Sequence, residues 1–413
     1  MDATTDISGV TRNVAIYPWF KFCQNLIFWQ AIWFLYFQNE LSAAEAILLY
    51  AIYDVGTTVL EVPSGYMSDR LGRRFTLIVS AIAGVAGASL LALGNSFEVF
   101  ALAQILLGAN IAFASGTDSA LLYESLAATK RQAEIERQEL RAWRFSFSAL
   151  AISAVVGGVL ALQTNTLPFF ASAVAFVGVL VITFGFREPP RTASAIAQGA
   201  ELVRLRSLKA ALTEPVLIWL FVLSILMYVF SHVPFVFGQP FILEALKDTR
   251  LEGEAPVVSG FVSGVMMVVS VITSLLALKL RHRLGLPMIL LFAFSMQVAL
   301  CGVLALTNEA IAIALLFLRM VPDSLSKPFL LARIQPMLSD ESRATYMSLR
   351  SFCGRMIFAG TLFLASLSSS HEGQMLYSEI QHVMSWYAVG GLLCLGALVL
   401  TAGRLKIDSS AGR

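Results

Sequence analysis

Twelve apolar runs, each close to the roughly 20 residues a helix needs to cross a bilayer, leave this chain few folds to choose from. They lie near 17–38, 44–65, 75–95, 98–121, 143–163, 167–186, 215–243, 256–278, 285–305, 309–331, 343–367 and 383–403. Only 14% of the 413 residues are charged and 57% are hydrophobic, whereas soluble domains carry roughly a quarter charged residues. No run alternates apolar and polar residues as a lipid-facing barrel strand does, so helices are the spanning form. The expected fold is an all-α membrane protein with twelve transmembrane helices.

Charge placement orients these spans, although the net charge is only +2. Twelve spans put both termini and every second loop on one side. That side collects Arg70, Arg73, Arg74, Lys130, Arg131, Arg137, Arg187, Arg191, Arg204, Arg206, Lys209, Lys279, Arg281, Arg283 and Arg343, with Arg12 at the amino terminus and Arg404, Lys406 and Arg413 in the tail. The other side keeps only Lys247 and Arg250. Positive residues stay on the cytoplasmic side, so both termini are expected there, in a multi-pass protein. The first run is full length and is followed by Gln38-Asn39-Glu40 rather than a small-residue cleavage site, so no cleaved leader is expected. Cys23, Cys301, Cys353 and Cys394 fall inside spans without disulfide or metal spacing.

A hydrophilic stretch at 187–214 divides the chain into an amino-terminal bundle at 1–186 and a carboxy-terminal bundle at 215–413. Its close, 201–209, has leucines and basic residues at helical spacing, which suits an anionic leaflet surface. The halves echo each other. Arg70-Leu71-Gly72 returns as Arg283-Leu284-Gly285, and Asp118-Ser119 returns as Asp323-Ser324, 205 residues later. Arg144 has its counterpart in Arg350. Matches at nearly one offset in corresponding spans favour a duplicated six-helix bundle.

Ionisable groups inside spans are costly and usually face a cavity or a partner. Asp54 and Glu61, seven residues apart, share a face of the second span; Asp118 and Glu124 lie in the fourth. Arg319, Asp323 and Lys327 form a stripe at i, i+4 and i+8 on the tenth, where Asp323 can pair with either neighbour. Each set is either a packing salt bridge or a site for substrate or protons. Asp54, Glu61, Asp118 and Asp323 are the proton-coupling candidates. In the first span Lys21 and Asn25 share a face with Trp29, and that face, with Trp33, is a candidate cavity wall. The seventh span carries His232, Gln239, two prolines and a glycine, so it is expected to be breakable, with a cavity role or an ordinary kink as the two readings.

Between the second and third spans stands Gly65-Tyr66-Met67-Ser68-Asp69-Arg70-Leu71-Gly72-Arg73-Arg74. Gly65 and Gly72 allow close approach and unusual backbone angles. Asp69 can accept from a helix N-terminus and pair with arginines. Its echo has His282 where Asp69 stands, so a latch built on the acid is expected in the first half alone. The pattern G-x-x-x-D-R-x-G-R-R resembles, position for position, the corresponding loop of the major facilitator superfamily. That resemblance covers the whole chain and implies two bundles around a cavity that opens to each side in turn. Glu61-Val62-Pro63-Ser64-Gly65, the run from Gly116 to Glu124 and Arg343-Ala344-Thr345 look like bacterial drug-efflux-like members of it. Two departures leave room for an importer. Gln104 stands where such antiporters usually carry an arginine, and Val155-Val156-Gly157-Gly158 lacks the proline of their fifth-span signature.

The expected activity is secondary transport of a small organic solute across the cytoplasmic (inner) membrane, coupled to protons, with efflux ahead of uptake of a metabolite or siderophore-like acid. A non-transporting membrane receptor or scaffold is the third reading. No metal-ligand spacing, nucleophile arrangement or phosphate-binding loop is visible, so neither an enzyme nor a metal or other cofactor is expected. The implied partners are the solute, protons and membrane lipid, with no nucleic acid, and a monomer is the expected state.

Overall fold

The computed structural model describes residues 7–189, 213–247, 249–338, 340–369, 374–405 and 407–408. The described residues are helical apart from short connections. The basic run at 201–209, with Arg204, Arg206 and Lys209, lies outside them, as does Lys406.

Nine helices among the described residues are long and apolar enough to cross a membrane. They match the second to ninth spans and the twelfth. The eleventh is continuous, Asp340–Leu367, but Arg350 and Arg355 lower its hydropathy. The first and tenth are missed because they are broken. The first divides into Ile7–Gln24, a short 3-10 turn Phe28–Ala31 and Trp33–Glu40. The tenth divides into Ala310–Ala312, Ile313–Leu316 and Val321–Ile334. The fourth is also broken, into Phe97–Ala114 and Thr117–Ala128, with Gly116 between them at φ +73°. With the broken spans restored, the fold is the all-α, twelve-span membrane architecture in two six-helix bundles. The seventh span departs from expectation: Pro215–Leu246 runs unbroken through Pro234, Gly238 and Pro240. Neighbouring turns can re-satisfy the backbone groups that a proline frees.

By contacts the chain separates into two compact units, Met1–Ser194 with Pro256–Gly264, and Ala195–Ala255 with Val265–Arg413. In the first, Gly108 brings the fourth span against the second so closely that a β-carbon there would lie 2.9 Å from Thr57 N. The third and fourth spans are joined by a buried reciprocal pair: Ser80 Oγ donates to Asn110 O (2.6 Å) and Asn110 Nδ2 donates to Ser80 O (2.9 Å). Such pairing avoids leaving an amide unsatisfied in an apolar interior. In the second unit Tyr346 Oη donates to Leu217 O (2.8 Å), and Trp219 Nε1 donates to Leu398 O (3.2 Å), tying the seventh span to the eleventh and twelfth.

Candidate functional site

Each unit carries a buried acid at a broken span. In the first unit, Asp118 sits in the opening turn of Thr117–Ala128, directly after Gly116. No atom lies within 4 Å of where a Gly116 β-carbon would stand, so glycine is needed there for its left-handed backbone and not for space. A helix N-terminus favours a negative charge. Asp118 Oδ1 accepts from Ser119 N (2.7 Å), and Oδ2 accepts from Lys21 Nζ (2.8 Å). Lys21 also donates to Gln24 Oε1 (2.8 Å). Asn25, at the break of the first span, donates from Nδ2 to Ser146 Oγ (3.2 Å) and to Lys21 O (2.7 Å).

Lys21, Asn25 and Asp118 line a cavity of about 450 Å³, together with Tyr17, Glu139 and Trp143. Lys21 was visible in the sequence as a neighbour of Asn25. Glu139 was not: it stands among Glu136, Gln138 and Arg141, a run that reads as an ordinary solvated helix end. Trp29 and Trp33 point elsewhere. Trp29 stacks on Phe169 (5.7 Å), and the buried Trp33 packs on Phe34, Phe37 and Tyr50. Asp54 is buried and Glu61 half-buried in the second span, and neither is on this wall.

In the second unit, Asp323 occupies the equivalent place in the first turn of Val321–Ile334. Pro322 fits that turn because its missing N–H would be unpaired there anyway. Asp323 accepts from Ser231 Oγ (2.9 Å) and Lys327 Nζ (2.6 Å), with Gln297 Nε2 at 3.5 Å. Arg319 lies in the break itself. It reaches Met266 Sδ and Ser231 O and covers the Phe235 ring at 5.2 Å. His232 Nδ1 is 2.7 Å from Tyr228 O, which places a proton on that nitrogen. Gln239 is buried, two turns further along the seventh span.

The glycine-rich turn is tighter than its sequence suggests. Ala43–Leu71 continues through Gly65, beside which a β-carbon would meet nothing, and the reversal is the single residue Gly72 at φ +107°. Asp69 is exposed and pairs with Arg73 Nη1 (2.8 Å). Within this unit the capping expected of Asp69 falls to Glu188, which accepts from the backbone N–H groups of Arg73 (2.7 Å) and Arg74 (2.8 Å). Arg73 also donates to Ser68 Oγ (2.7 Å) and to Glu124 Oε1 (3.0 Å). Arg74 Nη2 donates to Phe184 O (3.0 Å), and Arg70 lies over the Tyr66 ring. Asn13 holds the segment that carries Glu188, accepting from Arg187 N (2.9 Å) and donating to its carbonyl (2.7 Å).

The second half is not without an acid, contrary to the motif comparison. Gly285, at φ +81°, makes the same one-residue reversal, and Asp408 beyond the twelfth span caps it. Asp408 accepts from Leu286 N (3.1 Å) and pairs with Arg281, while Arg333 Nε donates to Ile407 O (2.8 Å). Each turn is capped by a carboxylate that follows the sixth span of its own half.

A family model described as Major Facilitator Superfamily matches residues 19–361. No curated protein matches the sequence. Among solved structures, the chain is similar to the nucleoside transporter NupG, with 13% identity, 95% of this chain and 98% of that one covered, and a TM-score of 0.72. It is similar to a bacterial homologue of the human lysosomal transporter Spinster, with 14% identity, full coverage of both chains and a TM-score of 0.69. It also resembles a D-xylose–proton symporter, with 13% identity, 95% and 97% coverage and a TM-score of 0.68. At these identities the likeness concerns the fold.

Proposed function

This chain belongs to the Major Facilitator Superfamily and is a membrane transporter, and from that premise we propose that it moves a small organic solute by alternating access, with Asp118 at the centre of its site. The observation that carries this reading is the Lys21–Asp118 ion pair on the wall of a cavity, at a break in the fourth span. Irregular backbone at membrane depth is tolerated where it lines a cavity, and the ends of broken helices there supply charge-binding groups.

Proton coupling is part of the proposal. Asp118 exchanging its lysine partner for a proton is a two-state event of the kind a coupled carrier needs. Asp54, Glu61 and Asp323 are the further coupling candidates. The capped turns at Gly72 and Gly285 are proposed to stiffen each bundle as it moves. The domain reading that accompanies this is an amino-terminal bundle at 1–186, a linker at 187–214 and a carboxy-terminal bundle at 215–413. Both termini are assigned to the cytoplasm by the distribution of arginine and lysine. Efflux is the proposed direction, on the resemblance of the Gly116–Glu124 run. Uptake is the second reading, favoured by Gln104 and by the absence of a proline beside Gly157 and Gly158.

Reconstituted proteoliposomes test the proposal. Solute flux is expected to rise when a pH gradient is imposed, and D118N is expected to remove that response. Equal flux with and without the gradient would sink the coupling claim.

A further inference from the structure

The cavity of the first unit holds an uneven set of charges. Its wall carries one cation, Lys21, and two carboxylates, Asp118 and Glu139. Lys21 is committed to Asp118 at 2.8 Å and to Gln24. Among the described residues Glu139 makes no ion pair, although it lies within electrostatic reach of both Asp118 and Lys21. The fixed charges therefore sum to one negative charge in a partly desolvated space, which a single positive group would balance.

A second observation points to an occupant. Tyr17 is 1% exposed and lines this cavity, and its hydroxyl, with Ser119 close by, has no partner within 3.5 Å among the described residues. Buried hydroxyls are normally satisfied, and an orphan of this kind implies a missing partner. A phenol oxygen can accept from an N–H donor. Trp143 and Phe147 supply aromatic surface on the same wall, their rings 5.1 Å apart, and aromatic faces attract cations.

We propose that this cavity recognises a solute carrying an ammonium group and an apolar body, with Glu139 as its counter-charge and Tyr17 Oη as its hydrogen-bond acceptor. Lys21 is the built-in competitor: it satisfies Asp118 when the cavity is empty and is already committed to that carboxylate, while Glu139 repels a solute carboxylate. The inference deepens the transport reading by naming a substrate class, and rests on that reading only for what moves the solute.

Calorimetric titration of the purified full-length protein with three molecules of one shape tests it. The probes are 2-phenylethylammonium, 2-phenylethanol and 3-phenylpropanoate. The ammonium is expected to bind at least about tenfold more tightly than the alcohol, as suits one charge-assisted contact, and the carboxylate not at all. E139Q is expected to bring the ammonium down to the affinity of the alcohol. K21M, which removes the competing cation, is expected to hold or tighten ammonium binding. Preference for the carboxylate, equal affinity for ammonium and alcohol, unchanged ammonium binding by E139Q, or no binding of any probe would each overturn the proposal. Proteoliposome exchange of the bound ammonium is scored separately. Binding without exchange keeps this site and removes the transport reading; transport of another solute without ammonium binding does the reverse.

Discussion

The two units answer the same problem, an acid in the first turn of a half-helix, in different ways. Asp118 draws its cation from another span, and that lysine is 24% exposed. Asp323 draws its cation from its own helix, four residues on, and that lysine is 58% exposed. Asp323 is also held by Ser231 of the seventh span and approached by Gln297 of the ninth. Beside Asp118 lies a cavity with a second carboxylate. The two halves thus share the break and the acid but not the partner. An acid paired across spans can change partners when the spans shift, whereas one paired within its helix moves with its cation.

Removing the acids breaks or sharpens this contrast most directly. D118A leaves Lys21 partly buried without a counter-charge and should cost about 2–3 kcal/mol, below the range for fully buried pairs because the lysine keeps some solvent access. D323A should cost about 1–2 kcal/mol, since Lys327 relaxes outward and the main loss is at Ser231 and Gln297. Unfolding midpoints in one detergent give the order, and a larger drop for D323A would reverse the comparison. Restoring charge balance separates the sites further. K21M combined with D118L should recover most of the D118A loss while the response of flux to a pH gradient stays absent, as scored by melting and by proteoliposome flux together.

The two turns provide the next test. Alanine at Gly72 must adopt φ +107°, and its β-carbon would sit 2.7 Å from Glu188 Oε1. Gly285 has φ +81° and a more distant neighbour, Asp408 Oδ2 at 3.1 Å. G72A is therefore expected to cost about 2 kcal/mol and G285A about 1 kcal/mol, on the usual scale for left-handed strain. Smallest are the caps themselves. E188Q and D408N should each cost about 1 kcal/mol or less, the scale of a helix N-cap, with E188Q the larger because Glu188 serves two backbone donors. Equal melting shifts would remove the ranking of the caps.

Most of the architecture was legible without coordinates, for a reason special to lipid. A backbone in hydrocarbon must satisfy itself, so apolar runs of the right length have one spanning form open to them. Asp118 and Asp323 stood out for the same reason: a charge in such a run has to be explained. Glu139 did not stand out, because at the edge of a span a glutamate among polar residues looks solvated. Asn13, Glu188 and Asp408 were illegible as partners because the groups they serve are far away in sequence. The helix break in the tenth span was hidden by its apolar composition, and the prolines of the seventh suggested a break that packing did not make.

By itself, then, the sequence determined the number of spans, their helical form, the pairing of Asp118 with Asp323 as repeats, and the glycines that must reverse the chain. These follow from local rules: length against bilayer thickness, charge against low dielectric, and backbone freedom at a missing β-carbon. Only the tertiary structure decided which cation meets which acid, which carboxylate caps each turn, and that Lys21, Asp118 and Glu139 share one cavity. Most of those contacts join residues far apart in sequence, 97 positions for Lys21–Asp118, 114 for Glu188 with Arg74 and 122 for Asp408 with Leu286, and they depend on how side chains pack within each bundle.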